Sequence, residues 1–269
     1  MKIIVLVKQI LDPAGVTVRR DKERIFVNRK DYIIEPGSKA AIEAGLRLKD
    51  AGGASPPEII ALTLGEPRAD DALREALAMG CDEAYLLCDD AFREADLSVV
   101  TTALAAAVEK LGGADLVLAG REAGDSGAGQ VGPRLAEALG YAGLTDAHSL
   151  ALELEAGAVE AVRRWGRGYA TVRAPLPAVV SVAPEAFRPR YAHGARIMNA
   201  YREWAVTTWG AADLELDGEA LEPLLAFRSE GFPPPLEVGE KFRGEPADAA
   251  GDVVMALKLQ KLIGGSNGF

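Results

Sequence analysis

Arg121, Asp125, Gly129, Gln130 and Val131 stand within one Gly-rich stretch, Asp115–Gly140, DLVLAGREAGDSGAGQVGPRLAEALG. A cation, small residues that let backbone come close, and a polar residue opening a helix are the means of holding an anion. The stretch reads as a buried strand over Asp115–Ala119, a loop over Gly120–Gly129 and an amphipathic helix over Gln130–Leu139. The first N–H groups of such a helix lack intrahelical acceptors and sit at the positive end of its dipole, which suits a nucleotide phosphate. The loop is not a dinucleotide GxGxxG, which belongs after the first strand of its unit, and Gly-Lys-Ser/Thr occurs nowhere in the chain. By itself a Gly-rich βα connection is more often only a connection.

Other reactive-looking residues have plainer explanations. His148 and His193 are isolated, without a nucleophile or metal partner in the pattern. Cys81 and Cys88 form no CxxC and read as small core residues, so neither zinc nor a disulfide framework is expected. Asp70-Asp71 and Asp89-Asp90 are neighbours that point apart, charges of a helix start and a loop rather than an acid/base pair. Trp165, Trp204 and Trp209 suit packing better than stacking on a bound ligand. Arg163, Arg164 and Arg167 fit equally a contact for an acidic partner and an exposed strand.

The elements around the loop give it a frame. Ile3–Val7, Glu58–Leu64, Glu83–Cys88 and Asp115–Ala119 are short aliphatic runs, as in parallel strands buried on both faces. They alternate with helical spacing over Ala40–Leu48, Asp70–Met79 and Leu97–Leu111. Such alternation specifies an α/β, doubly wound, mostly parallel sheet with right-handed crossovers. Val16–Arg20 and Arg24–Val27 read as a small hairpin around Asp21–Glu23. Ala147–Glu155, Val159–Trp165, Tyr169–Val172 and Ala178–Val182 read as an antiparallel add-on. From about Phe187 the chain reads as irregular, with a Pro-rich stretch over Phe232–Pro246 and an amphipathic helix over Asp248–Leu262. A helix beyond such a linker must bury its apolar face, and another subunit is the expected cover. The expected division is 1–186, a phosphate-binding α/β domain, and 187–269, an irregular segment with an extended C-terminal arm.

Composition narrows the partners. The chain has 269 residues, 49% hydrophobic and 26% charged, with a net charge of −10. Nucleic acid and anionic membranes call for basic patches, so neither is expected. The opening MKIIVLVKQI breaks to Lys and Gln at once, unlike a leader peptide, and no apolar run is long enough to span a bilayer. A soluble, cytoplasmic protein is the expectation.

Several motifs in order then point to a family. VLVKQILDP (Val5–Pro13), IIEPGSKAAIEAGLRLKD (Ile33–Asp50) and ALTLGEPRADDALREALAMGCDEAYLL (Ala61–Leu87) resemble its opening strand, its Pro-led helix and its second βα unit. GREAGDSGAGQVGPRLAEALG (Gly120–Gly140), PLPAVVSV (Pro175–Val182) and RPRYAHGARIMNA (Arg188–Ala200) resemble its nucleotide loop and late signature. The chain thus resembles the β subunit of electron-transfer flavoproteins, the family of the FixA proteins. The resemblance implies a non-enzymatic electron-carrier subunit paired with an α subunit that carries the redox FAD. It implies AMP, or a second and bifurcating FAD, in the β subunit, and electrons passing from a dehydrogenase to a quinone oxidoreductase or other acceptor. It places Leu6, Val7, Pro36, Ser38, Leu64 and Gly65 beside the nucleotide, with Gly120, Arg121, Asp125, Gly129, Gln130 and Val131 as its cradle. Each lies where a strand's carboxyl end meets a loop, the ligand edge of open α/β sheets.

The chain also departs from the family pattern. Glu35 stands for the usual Asn, Ser38 for an acid, and AGDSGAG has one acid fewer than the usual run. Fewer carboxylates, and QVGP after them as in many bifurcating members, tilt the nucleotide toward FAD. His193–Met198, HGARIM, replaces the usual dehydrogenase-recognition loop, so a partner other than the usual acyl-CoA enzyme is expected. The rival reading is a stand-alone nucleotide sensor of the universal-stress-protein type, against which the long tail argues. An adenylating enzyme would need His-x-Gly-His or Ser-Gly-Gly-x-Asp-Ser, and the chain has neither.

Overall fold

A computed structural model describes residues 1–225, 228–229, 231–234 and 239–263. In chain order the elements are β1 (Lys2–Leu6), β2 (Gln9–Leu11), β3 (Val16–Arg19), β4 (Arg24–Val27), β5 (Tyr32–Ile34), α1 (Pro36–Ala51), β6 (Glu58–Leu64) and α2 (Asp70–Met79). Next come β7 (Glu83–Leu87), α3 (Leu97–Lys110), β8 (Leu116–Gly120), α4 (Val131–Leu139), β9 (Ala142–Glu153) and β10 (Ala158–Trp165). The last are β11 (Gly168–Pro175), β12 (Ala178–Val182), α5 (Gly194–Arg202), β13 (Thr207–Trp209) and α6 (Pro246–Leu259).

Nine strands form one sheet in the order β11-β10-β9-β12-β8-β1-β6-β7-β13. It is parallel from β9 through β13, and β10 and β11 extend it antiparallel. Period-two alternation divides the aliphatic strands between two faces. Ile3, Val5, Ile59, Leu116 and Leu118 pack with Ile42, Leu46, Leu73 and Leu77 of α1 and α2. Ile4, Ile60, Leu62, Val117 and Val179 pack with Val99, Leu104, Val108 and Leu135 of α3 and α4. This is the α/β, doubly wound, mostly parallel architecture expected of the sequence.

Three elements differ from that expectation. Ala178–Val182 is not part of the antiparallel add-on: β12 runs parallel to both β8 and β9, well inside the sheet. Strand β9 begins at Ala142, not Ala147, and its first half is parallel to β12 before its second half turns antiparallel to β10. The segment after Phe187 is not irregular throughout. It contains α5 and then β13, which pairs Thr207–Trp209 with Tyr85–Leu87 at the sheet's edge.

The chain divides into two compact units, Met1–Arg228 and Ser229–Phe269. The boundary expected at 186/187 therefore falls inside the first. In the second, α6 exposes Val253, Val254, Met255 and Leu259. Residues 235–238 of the Pro-rich stretch and the tail 264–269 lie outside the described residues. No helix among the described residues is long and apolar enough to cross a membrane.

Candidate functional site

Strand order reverses at β1, which has β6 on one side and β8 on the other. Crossovers leave this point in opposite directions and open a crevice at the carboxyl ends of the strands. A cavity of about 450 Å³ lies there, within the range of small-molecule sites.

Its floor depends on two glycines. A Cβ at Gly120 would stand 2.7 Å from the Gly37 carbonyl carbon and 3.1 Å from the Ser38 nitrogen. The end of β8 thus lies directly on the start of α1, an approach open only to glycine. Helix α1 begins at Pro36, four residues before its apolar spacing suggests, because Glu35 caps it: Ser38 N–H donates to Glu35 Oε2 at 2.8 Å. The Ser38 hydroxyl accepts from Lys8 N–H at 3.0 Å, and Glu35 N–H donates to the Lys8 carbonyl at 2.9 Å. These bonds fix the end of β1 against the helix.

The opposite wall is the loop into α4. Gln130 precedes α4 without capping it through its side chain, and its Oε1 accepts instead from Arg134 Nε at 3.0 Å. The first amides of α4 therefore face the cavity without a side-chain acceptor, which is the condition for binding an anion. Leu6, Leu62, Leu64, Val100 and Leu104 supply an apolar side.

The structure brings Leu6, Val7, Ser38, Leu64, Gly120, Arg121, Gly129, Gln130 and Val131 around this one cavity. Pro36 and Gly65 do not line it; they lie at the first turn of α1 and directly after β6. Asp125 does not line it but forms an ion pair with Lys8, which does, at 2.7 Å. Arg121 is already engaged: Nη1 donates to Asp146 at 3.1 Å and to Glu185 at 3.4 Å, and Nη2 to Glu122 at 3.4 Å. The bond to Asp146 leads in pushing its pKa up, so the guanidinium stays charged.

Lys8, Glu35, Thr63 and Asp96 also line the cavity, and of these the sequence marks only Glu35, as a departure from the family pattern. Thr63 is 1% exposed, and its hydroxyl has no partner among the described residues. Asp96 caps α3 through Ser98 and Val99 N–H. Burial acts to raise its carboxyl, but these amides and that of Leu225 outweigh burial and hold it below the usual range. Glu35, Asp96 and Glu122 stand at the cavity's wall as well. Among the described residues no group of His, Cys, Asp and Glu could hold a metal ion.

Comparison with known proteins places this architecture among relatives. The family described as "Electron transfer flavoprotein domain" matches residues 24–214. The caffeyl-CoA reductase-Etf complex subunit CarD of Acetobacterium woodii is 36% identical over 98% of this chain and 100% of its own length. The electron transfer flavoprotein subunit beta of Clostridium acetobutylicum is 36% identical over 81% of each chain. Protein FixA of Azorhizobium caulinodans is 35% identical over 79% of this chain and 76% of its own.

Proposed function

The chain belongs to the electron transfer flavoprotein family, among its β subunits and FixA proteins, and on that premise we propose that it holds an adenine nucleotide in the crevice above β1, β6 and β8. As in that family, it is an electron-carrier subunit and not a catalytic enzyme. The observation that carries the nucleotide reading is the meeting of a glycine-only floor at Gly37 and Gly120 with the open amides of α4, across a cavity with one apolar side.

The fit is chemical. A phosphate would take the amides of Gln130, Val131 and Gly132. The buried Thr63 hydroxyl, unpartnered among the described residues, would find its acceptor or donor on the nucleotide. Leu6, Leu64, Val100 and Leu104 would cover the base. AMP satisfies this set as a structural ligand. A second FAD would use the same phosphate cradle and add the flavin chemistry of bifurcation.

The partner in this reading is an α subunit bearing the redox FAD, with α6 and the segment before it as the arm that covers it. The exposed Tyr191, Ile197 and Met198 around α5 would meet the dehydrogenase. A quinone oxidoreductase or another carrier would take the electrons onward.

The test is to co-express the chain with its α subunit, purify and denature the pair, and quantify FAD and AMP per heterodimer. One of each makes it an ordinary carrier, and two FAD without AMP make it a bifurcating one. No heterodimer, with nucleotide on the lone chain, replaces this reading by the nucleotide sensor.

A further inference from the structure

Strands β3 and β4 form a two-stranded ribbon of their own, outside the nine-stranded sheet. In its register Val16 faces Val27, Thr17 faces Phe26, Val18 faces Ile25, and Arg19 faces Arg24. Directly opposed residues share a face, and so do residues two apart. One face is therefore Val16, Val18, Ile25 and Val27, wholly aliphatic, while the other carries Thr17, Arg19, Arg24 and Phe26. Alternation of this kind belongs to a strand with one face on a core. None of these residues belongs to either core cluster, and Val18, Ile25 and Val27 are 51%, 62% and 44% exposed. An isolated two-stranded ribbon is marginal in water at best.

The ribbon is nevertheless firmly based. Asn28 N–H donates to the Gly15 carbonyl at 2.8 Å, and a Cβ at Gly15 would stand 2.5 Å from the Arg29 carbonyl oxygen. It thus projects in one orientation with its aliphatic face open.

The geometry points to this face as a permanent interface with the α subunit, one that presents an apolar groove edged by carboxylates. The proposal rests on the heterodimer reading above and adds a contact that the C-terminal arm does not provide. Two arguments select the occupant. Permanent interfaces are apolar at their centre, as this face is. The charge around it is also reversed with respect to the chain: residues 16–31 carry six Lys or Arg against three Asp or Glu, within a protein of net charge −10. A second copy applied face to face would set two cationic ribbons against each other. A partner with carboxylates at the rim complements Arg20 and Lys22 in the turn that closes the ribbon.

Hydrogen exchange on the full-length chain, alone and in complex with its α subunit, tests this directly. The amides of residues 16–27 should exchange at least about ten-fold more slowly in the complex. Val18→Thr combined with Ile25→Thr keeps β-branched side chains at exposed positions, so the lone chain should keep its circular dichroism and nucleotide content. The double variant should weaken the heterodimer about ten- to a hundred-fold. Equal exchange of the ribbon in the free and assembled chain overturns the proposal. So does a lone chain that is dimeric until the double substitution makes it monomeric, because a second copy then covers the face. If the unmodified subunits never assemble, the heterodimer reading itself falls and takes this inference with it.

Discussion

Arg121 reaches Asp146 across 3.1 Å, from the end of β8 to the bend in β9, so the cation nearest the cradle arrives with its charge already matched. With Glu122 and Glu185 also on its guanidinium, it adds little net positive field at the cavity mouth. The burden of holding an anion falls on the α4 amides. Arg121→Ala should therefore weaken AMP binding only about five-fold, the scale of a partly exposed pair. Asp146→Asn should tighten it by a similar factor. Calorimetric titration with AMP at low and high salt checks both, and a loss beyond about a hundred-fold for Arg121→Ala would assign the phosphate to the side chain instead.

Gly120→Ala forces a Cβ onto the backbone of Gly37 and Ser38, where neither neighbour is a flexible side chain that can give way. A loss of about 2–3 kcal/mol in stability is expected, together with loss of bound nucleotide. Urea denaturation and nucleotide content after purification report the two effects separately.

Thr63→Val removes a buried hydroxyl that has no partner among the described residues. Replacing such a group with an apolar one of the same shape should leave the nucleotide-free chain as stable or slightly more so. Affinity for the nucleotide should fall about five-fold if that hydroxyl bonds the ligand. Unchanged affinity would remove Thr63 from the site.

Glu43 on α1 is buried and ties that helix to the segment before α5: Arg190 Nε donates to it at 2.8 Å and Arg47 Nε at 3.0 Å. Burial acts to raise its carboxyl, but the bonds from Arg190 and Arg47 outweigh burial and leave the folded-state value below that of a free glutamate. Its stabilisation is thus full above about pH 4.3, the unfolded value, and is lost as pH falls through the lower folded one. Glu43→Gln should cost about 2 kcal/mol at neutral pH. Urea midpoints should show the gap closing in acid.

Cys81 is fully buried, and burial pushes its thiol up to about 12, while the half-buried Cys88 is raised less, again chiefly by burial. A thiol reagent at about pH 8 should modify Cys88 slowly and Cys81 only after denaturation.

Where the chain speaks locally, its structure is legible. Glu58–Leu64, Asp70–Met79 and Ala178–Val182 occupy the spans their aliphatic runs and Gly stops suggest. The direction of Ala178–Val182 is not legible, because a buried run looks the same beside a parallel or an antiparallel neighbour. The start of β9 is hidden as well. Gly143, Thr145 and Asp146 read as turn residues, yet pairing with β12 holds them in a strand that bends at Asp146, whose φ is +58°. The glycines announce the loop between Gly120 and Gln130. Lys8, Glu35, Thr63 and Asp96 come from four separate segments, and only the order of the strands places them beside it.

That strand order also has a consequence for how the chain is made. β1 is synthesised first, yet one of its two neighbours, β8, places Leu116 against Ile3 and Leu118 against Val5. Until β8 has left the ribosome, the oldest strand keeps a bare, wholly aliphatic edge, open to pairing with another nascent chain. Closing so distant a contact is slow. Chains truncated before Leu116 should therefore aggregate, whereas those ending after Gly120 have both strands that flank β1.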